Sequence, residues 1–330
     1  MISKNSKLYI CIGGFIIVAL IGYFIGKNQL TDDNIEADLA EDRHQAGYQY
    51  IKPLLTCSLE LRDYRRVQPL EKELRKIVDE EMALKQITDL SLFFHDLDNG
   101  SWIAINRTEK FSPASLLKVP IMIAYFKLTE SQPDLLKKEI TVIGNVDAAL
   151  RPNIMPEKRV EPGKAYTVEE LIKYAVNYSD NVAANTLLEN ISLEDMERIY
   201  DDIGLEPPSP NKPENFMSVF EYSAFFEILY NASYLSKDMS EKALEILADT
   251  RFDFGIEGGV PEGTKVANKF GERTLENQRQ LHDCGIIYSP EGPYLLCIMT
   301  RADLKTGASF QHLAEILESL SAKTYKYLTK

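Results

Sequence analysis

The sequence predicts an α+β domain: a five-stranded antiparallel sheet flanked by helices, an all-helical lobe beside it, and one transmembrane helix before it. Three observations predict this. Two short strands come early and three come late. An amphipathic helix lies outside each group of strands. A long, largely helical stretch separates the two groups.

The apolar segment comes first. Residues 8–26, LYICIGGFIIVALIGYFIG, form one long apolar run. As a helix it spans about 28 Å, close to the hydrocarbon thickness of a bilayer. Lys4 and Lys7 precede it, and the acidic stretch TDDNIEADLAED follows Lys27. That asymmetry places residues 1–7 in the cytoplasm and the rest outside the membrane. A cleaved signal peptide is the rival reading, but the run is long and no Ala-x-Ala site follows it. Residues 27–48 lack periodicity and read as an acidic tether. The catalytic domain is expected over residues 49–330, with 49–64 as an extra strand or a packed arm.

Within the domain, residues 70–84 carry Leu70, Leu74, Ile77, Val78 and Met82 at helical spacing. Residues 91–94 and 102–105 flank Asp98-Asn99-Gly100, a hairpin turn signal. The middle, residues 112–247, is mostly helical. Two helix starts there are marked by capping boxes, Thr167 with Glu170 and Ser218 with Glu221. Residues 265–269, 285–288 and 294–300 read as strands. The last helix presents Phe310, Leu313, Ile316, Leu317 and Leu320 on one face.

Composition excludes some partners. The 330 residues carry a net charge of −13, which argues against nucleic acid, whose phosphates would repel it. Outside the apolar run lie Cys57, Cys284 and Cys297, so at most one internal disulfide can form. Cys284 and Cys297 are symmetric about a turn-like Ser-Pro-Glu-Gly-Pro. They are either a cross-strand disulfide or small buried apolar residues. The four histidines, His44, His95, His282 and His312, are scattered, and no metal or cofactor site is evident. His282-Asp283 opens a predicted strand near the site and is expected to be structural.

Three short motifs carry chemistry. In Ser115-Leu116-Leu117-Lys118, the serine and lysine are three apart and share a helix face. A serine hydroxyl needs a base beside it, and a lysine amine serves if burial lowers its pKa. The apolar stretch after Lys118 supplies the low dielectric. In Ser179-Asp180-Asn181, Ser179 is placed to relay a proton to a leaving amine, Asp180 to hold the turn, and Asn181 to hydrogen-bond the substrate's amide. In Lys269-Phe270-Gly271, Lys269 supplies positive charge near Ser179, and Gly271 admits substrate backbone to an edge strand. The backbone N–H groups of Ser115 and Glu272 form the expected oxyanion hole. Each motif alone is common by chance. All three in order, on the expected helix, turn and strand, are not.

With these motifs the chain resembles the class A β-lactamase family, within the wider penicillin-interacting serine enzymes. The likeness covers residues 70–320. The resemblance implies acyl transfer through an ester on Ser115, with a β-lactam or a cell-wall peptide as substrate, no cofactor, and a monomer. Two departures matter. The family pattern has a hydroxyl residue where Phe270 stands. Its loop glutamate, which activates water to release the ester, sits in a Glu-x-x-Leu-Asn pattern that is absent here, because only 39 residues separate Ser179 from Ser218. Glu206 and Glu214 are the loop carboxylates left to test. The readings that follow are a β-lactam hydrolase, a D-alanyl-peptide acyltransferase or slow-releasing penicillin-binding protein, and a wall-binding module without catalysis.

Overall fold

In the computed structural model, five strands form one antiparallel sheet: β1 (Asp89–Asp96), β2 (Trp102–Ile105), β7 (Lys265–Thr274), β8 (Gln278–Ser289) and β9 (Gly292–Asp303). Their spatial order is β2-β1-β9-β8-β7, which leaves β2 and β7 at the edges. The structure describes residues 48–52, 61–143, 153–209, 214, 216–275 and 277–330. The expected membrane segment, most of the tether and Cys57 lie outside these. Among the described residues, no helix is long and apolar enough to cross a membrane.

The late strands are longer than the sequence predicts. The expected 265–269 runs on to Thr274, and the expected 285–288 begins at Gln278. These added stretches hold polar residues whose side chains find partners inside the protein, so their polarity hid the strand. Hairpin pairing sets Cys284 directly opposite Cys297, both fully buried, and a disulfide joins them.

One face of the sheet packs on α1 (Leu61–Ala83) and on the C-terminal helix α8 (Phe310–Leu328). Leu70, Leu74 and Val78 of α1 meet Leu92, Phe94, Leu296 and Ile298 of the sheet and Leu313, Leu317 and Leu320 of α8 in a single core. Each such side chain, fully buried, contributes roughly 1.5–3 kcal/mol. Helix α1 starts earlier than expected, with Pro69 inside it. At its other end Met82 and Leu84 are exposed, so neither belongs to the core.

The helical lobe comprises α2 (Lys118–Thr129), α3 (Val168–Asn177), α4 (Asn181–Glu189), α5 (Leu193–Asp202), α6 (Val219–Tyr230) and α7 (Lys237–Leu247). Helix α6 lies against β1 and β9, joining lobe to sheet. Helix α2 is buried from Lys118 through Phe126, as a helix apolar all round must be. Pro120 is tolerated because first-turn N–H groups have no helical acceptor. Both capping boxes are present. The middle is not purely helical: β3 (Lys110–Phe111) pairs with β6 (Met217–Ser218), and β4 (Glu139–Thr141) with β5 (Ala165–Thr167). Of the expected arm, Tyr50 and Ile51 are buried and the backbone N–H groups of Gln49, Tyr50 and Ile51 donate to the Glu241 carboxylate.

Candidate active site

Ser115 sits in a short helical turn, Ala114–Leu117, that runs directly into α2. The turn opens on a strained residue: Ala114 has φ +49, a left-handed conformation that costs an alanine about 1–3 kcal/mol. Ser179 has φ +56 in the turn between α3 and α4. One such non-glycine residue thus stands directly before the first serine motif and another opens the second, while Lys85, Asn106 and Ala232 share this conformation elsewhere.

Lys118 lies between them. Its Nζ is 3.0 Å from Ser115 Oγ, 3.1 Å from Ser179 Oγ, and 2.7 Å from both the Ser179 carbonyl oxygen and Asn181 Oδ1. Complete burial lowers its pKa to about 7, against the partial opposition of Asp180 and Glu272. A neutral amine has two N–H bonds and one lone pair. The Ser179 carbonyl and Asn181 Oδ1 can only accept, so they take the two N–H bonds. The lone pair is left for a serine hydroxyl, which is the geometry of a general base.

Lys269 reaches the same hydroxyl from the sheet. Its Nζ is 3.2 Å from Ser179 Oγ and 3.1 Å from the Phe270 carbonyl oxygen. Burial first, and then the neighbouring Lys118, hold its pKa well below the lysine range. This lysine, expected to bring positive charge near Ser179, sheds its proton more readily than a surface lysine does.

The remaining motif residues divide. Asp180 holds the turn as expected: it caps α4 by accepting from Val182 N–H at 2.8 Å, and its other oxygen takes Val160 N–H at 2.7 Å. Asn181 turns its amide oxygen to Lys118. At Gly271, a Cβ would fall 2.7 Å from the Pro113 carbonyl oxygen and 3.1 Å from Leu116 N. A close approach that demands glycine is thus made by the turn that carries Ser115. Glu272 follows, with its carboxylate turned to Asn153 Nδ2 at 2.7 Å and Ile154 N–H at 2.9 Å. Phe270 stacks on Phe252 with ring centroids 4.0 Å apart and belongs to the core shared with α1 and α8. Of the loop carboxylates, Glu214 pairs with Arg273 at 3.3 Å, and Glu206 is exposed.

Sequence reasoning marked His282-Asp283 as structural, as it is, but missed Gln280 and what these side chains hold. Gln280 and His282 bind the backbone of Ser112, and Asp283, with its pKa pushed up to about 7 by burial, binds Ile256 N–H and the Asn268 amide. These contacts link segments far apart in sequence, and the only signal for them was an unusual density of polar residues in a strand.

The fold, with a buried lysine between two serines, is that of the class A β-lactamase-like serine hydrolase family. The profile of the Beta-lactamase enzyme family matches residues 69–328, and the chain belongs to that family. A beta-lactamase of Bacillus licheniformis is 29% identical over 257 residues, 72% of this chain and 80% of its own. The extended-spectrum beta-lactamase PER-1 of Pseudomonas aeruginosa is 22% identical over 219 residues, 60% of this chain and 70% of its own. Among solved structures, a mutant of PBP-A, captured as an acyl-enzyme complex with penicillin G, matches with a TM-score of 0.66 at 20% identity, covering 80% of this chain and 97% of that one. The TLA-3 extended-spectrum beta-lactamase matches with a TM-score of 0.67 at 17% identity, covering 79% and 100%. These two show a shared fold.

Proposed function

We propose that this chain opens β-lactam amides through an ester on Ser115, as a serine hydrolase held at the membrane by residues 8–26. The observation that carries the chemistry is the 3.0 Å contact between Lys118 Nζ and Ser115 Oγ, at a lysine whose pKa burial brings to about 7. Ser115 Oγ attacks the lactam carbonyl carbon while its proton passes to neutral Lys118. The oxyanion is received by the backbone N–H groups of Ser115 and Glu272. Ser179 Oγ, within reach of both lysines, gives its proton to the departing nitrogen and is reprotonated from Lys118. The C–N bond breaks and the acyl group stays on Ser115. A base so placed contributes about 10²–10⁴-fold. Incubation of the purified protein with a labelled penicillin, followed by peptide mapping, tests this. The label should sit on Ser115, and a protein that takes up no label contradicts the reading.

A second reading, a penicillin-binding protein or D-alanyl-peptide acyltransferase that releases its ester slowly, is favoured by the carboxylates. Glu214 is committed to Arg273, Glu272 to Asn153 and Ile154, and Lys118's hydrogen-bond partners come from Ser115, Ser179 and Asn181. The PBP-A structure, an acyl-enzyme complex, points the same way. Rapid steady-state turnover of a chromogenic cephalosporin, lost in Ser115→Ala, would decide for the first reading. The anchor rests on the apolar run and its charge asymmetry. Protease added outside intact cells should remove the domain, and a domain that stays protected contradicts that topology.

A further inference from the structure

Ser112 lies three residues before the nucleophile, at the bend between β3 and the turn of Ser115. One strand grips its backbone on both sides. Ser112 N–H donates to Gln280 Oε1 at 3.0 Å, and His282 Nε2 donates to the Ser112 carbonyl oxygen at 2.9 Å. Gln280 and His282 are two apart on β8, so their side chains leave the same face. Both are fully buried.

The histidine's partners fix its tautomer. A carbonyl oxygen only accepts, so Nε2 carries the proton. Thr300 N–H donates to Nδ1 at 3.3 Å, so Nδ1 is bare. The edge of Phe111 packs at 5.5 Å and holds the ring in place. Burial drops its pKa to about 4, so the ring stays neutral at physiological pH.

Downstream of Ser112 stands Ala114 at φ +49. Such a residue persists only where flanking structure over-determines it. On its C-terminal side, Leu116 N–H donates to the Pro113 carbonyl at 3.0 Å, Tyr222 hydroxyl donates to the Leu116 carbonyl at 3.0 Å, and Gly271 closes on both. On its N-terminal side β3 is anchored by its pairing with β6 and by Phe216 N–H, which donates to the Phe111 carbonyl at 3.2 Å, and between that anchor and Ala114 the backbone is held by the grip on Ser112. Loss of that grip would leave the Ala114 conformation free to relax through the peptides from Pro113 to Ser115, and with it the aim of Ser115 Oγ at Lys118.

We propose that Gln280 and His282 are positioning residues for Ser115: by gripping the Ser112 backbone they hold the Ala114 turn that aims the nucleophile. The proposal rests on the reading that Ser115 is acylated, and the experiment separates the two. Acylation of the full-length protein by a fluorescent penicillin is followed by stopped flow, which resolves the limiting rate from the half-saturating concentration. Labelling by a fluorophosphonate probe reports Ser115 reactivity without any β-lactam.

In His282→Phe, which keeps a ring and loses the donor, the limiting rate should fall on the order of 10²-fold. The half-saturating concentration should move by no more than about twofold, because binding groups are untouched. In His282→Gln an amide N–H can again reach the Ser112 carbonyl, and most of the rate should return, a rescue that lost core packing alone would not give. Gln280→Met should repeat the pattern from the other side of the peptide, and serves if His282→Phe does not fold. Wild-type labelling with an unchanged limiting rate in these variants overturns the grip and leaves acylation standing. No labelling of the wild type by either reagent overturns both.

Discussion

Gly271 and Pro113 meet backbone to backbone: a Cβ on the glycine would stand 2.7 Å from the proline carbonyl oxygen. The strand carrying Lys269 and the turn carrying Ser115 are thus held together at a residue that must have no side chain. Gly271→Ala should cost about 1–3 kcal/mol, since the clash is with backbone that cannot step aside. The melting temperature and the rate of Ser115 labelling should fall together. An alanine variant with wild-type values for both would mean that the contact is loose.

Lys118 should make the protein less stable than it could be. Its pKa is about 7 in the folded protein against 10.5 for a free lysine side chain, because burial disfavours the charge. Between these values the unfolded chain binds more protons, so this group's contribution to stability rises with pH. The stabilisation of Lys118→Met relative to wild type should therefore be largest below pH 7 and shrink towards pH 10. Melting curves of both proteins across that range check it, and a difference independent of pH would contradict a lysine titrating near neutrality.

His282 should supply part of the protein's acid sensitivity. Its pKa is about 4 when folded against 6.5 when free, chiefly through burial. Above pH 6.5 its stabilisation is complete, and it is lost as the pH falls towards 4, by about 3 kcal/mol in all. Asp283, with its pKa raised to about 7, acts in the opposite sense, but it is present in both proteins and cancels in the comparison. His282→Gln should lose less stability than wild type between pH 6.5 and 4. Parallel denaturation curves at the two pH values would argue against a buried neutral histidine.

Glu206 and Glu214 should be bystanders to ester release. Glu206 is exposed and Glu214 is paired with Arg273. In Glu206→Gln and Glu214→Gln the lifetime of the Ser115 adduct, followed by intact mass, should match wild type. A lifetime lengthened 10²–10⁴-fold in either would identify a deacylating base.

Much of this architecture was legible in the sequence, because its signals are local. Alternation marked the strands, the capping boxes at Thr167 and Ser218 fixed two helix starts, and the three motifs named Ser115, Lys118, Ser179 and Lys269 before any geometry was known. What was not legible depends on tertiary contact. The first half of β8 holds Gln280, His282 and Asp283, and their polarity breaks the strand pattern because each is satisfied by backbone or amide groups from elsewhere in the fold. The contact of Gly271 with the Ser115 turn is of this kind, because sequence says that a close approach exists and not what approaches. The lowered pKa of Lys269 is illegible for the same reason: a lysine letter carries its ordinary pKa, and only burial beside Lys118 changes it.

The central claim is that neutral Lys118 is the base that activates Ser115. The pH dependence of the acylation rate tests it most directly, measured with a labelled penicillin from pH 5.5 to 9 on wild type and Lys118→Met. The rate should rise with pH to a plateau, with a midpoint near 7 as Lys118 loses its proton, and Lys118→Met should be slower by about 10²–10⁴-fold and lack that limb. A wild-type rate that is flat across pH 7, or a limb that survives in Lys118→Met, would contradict the account.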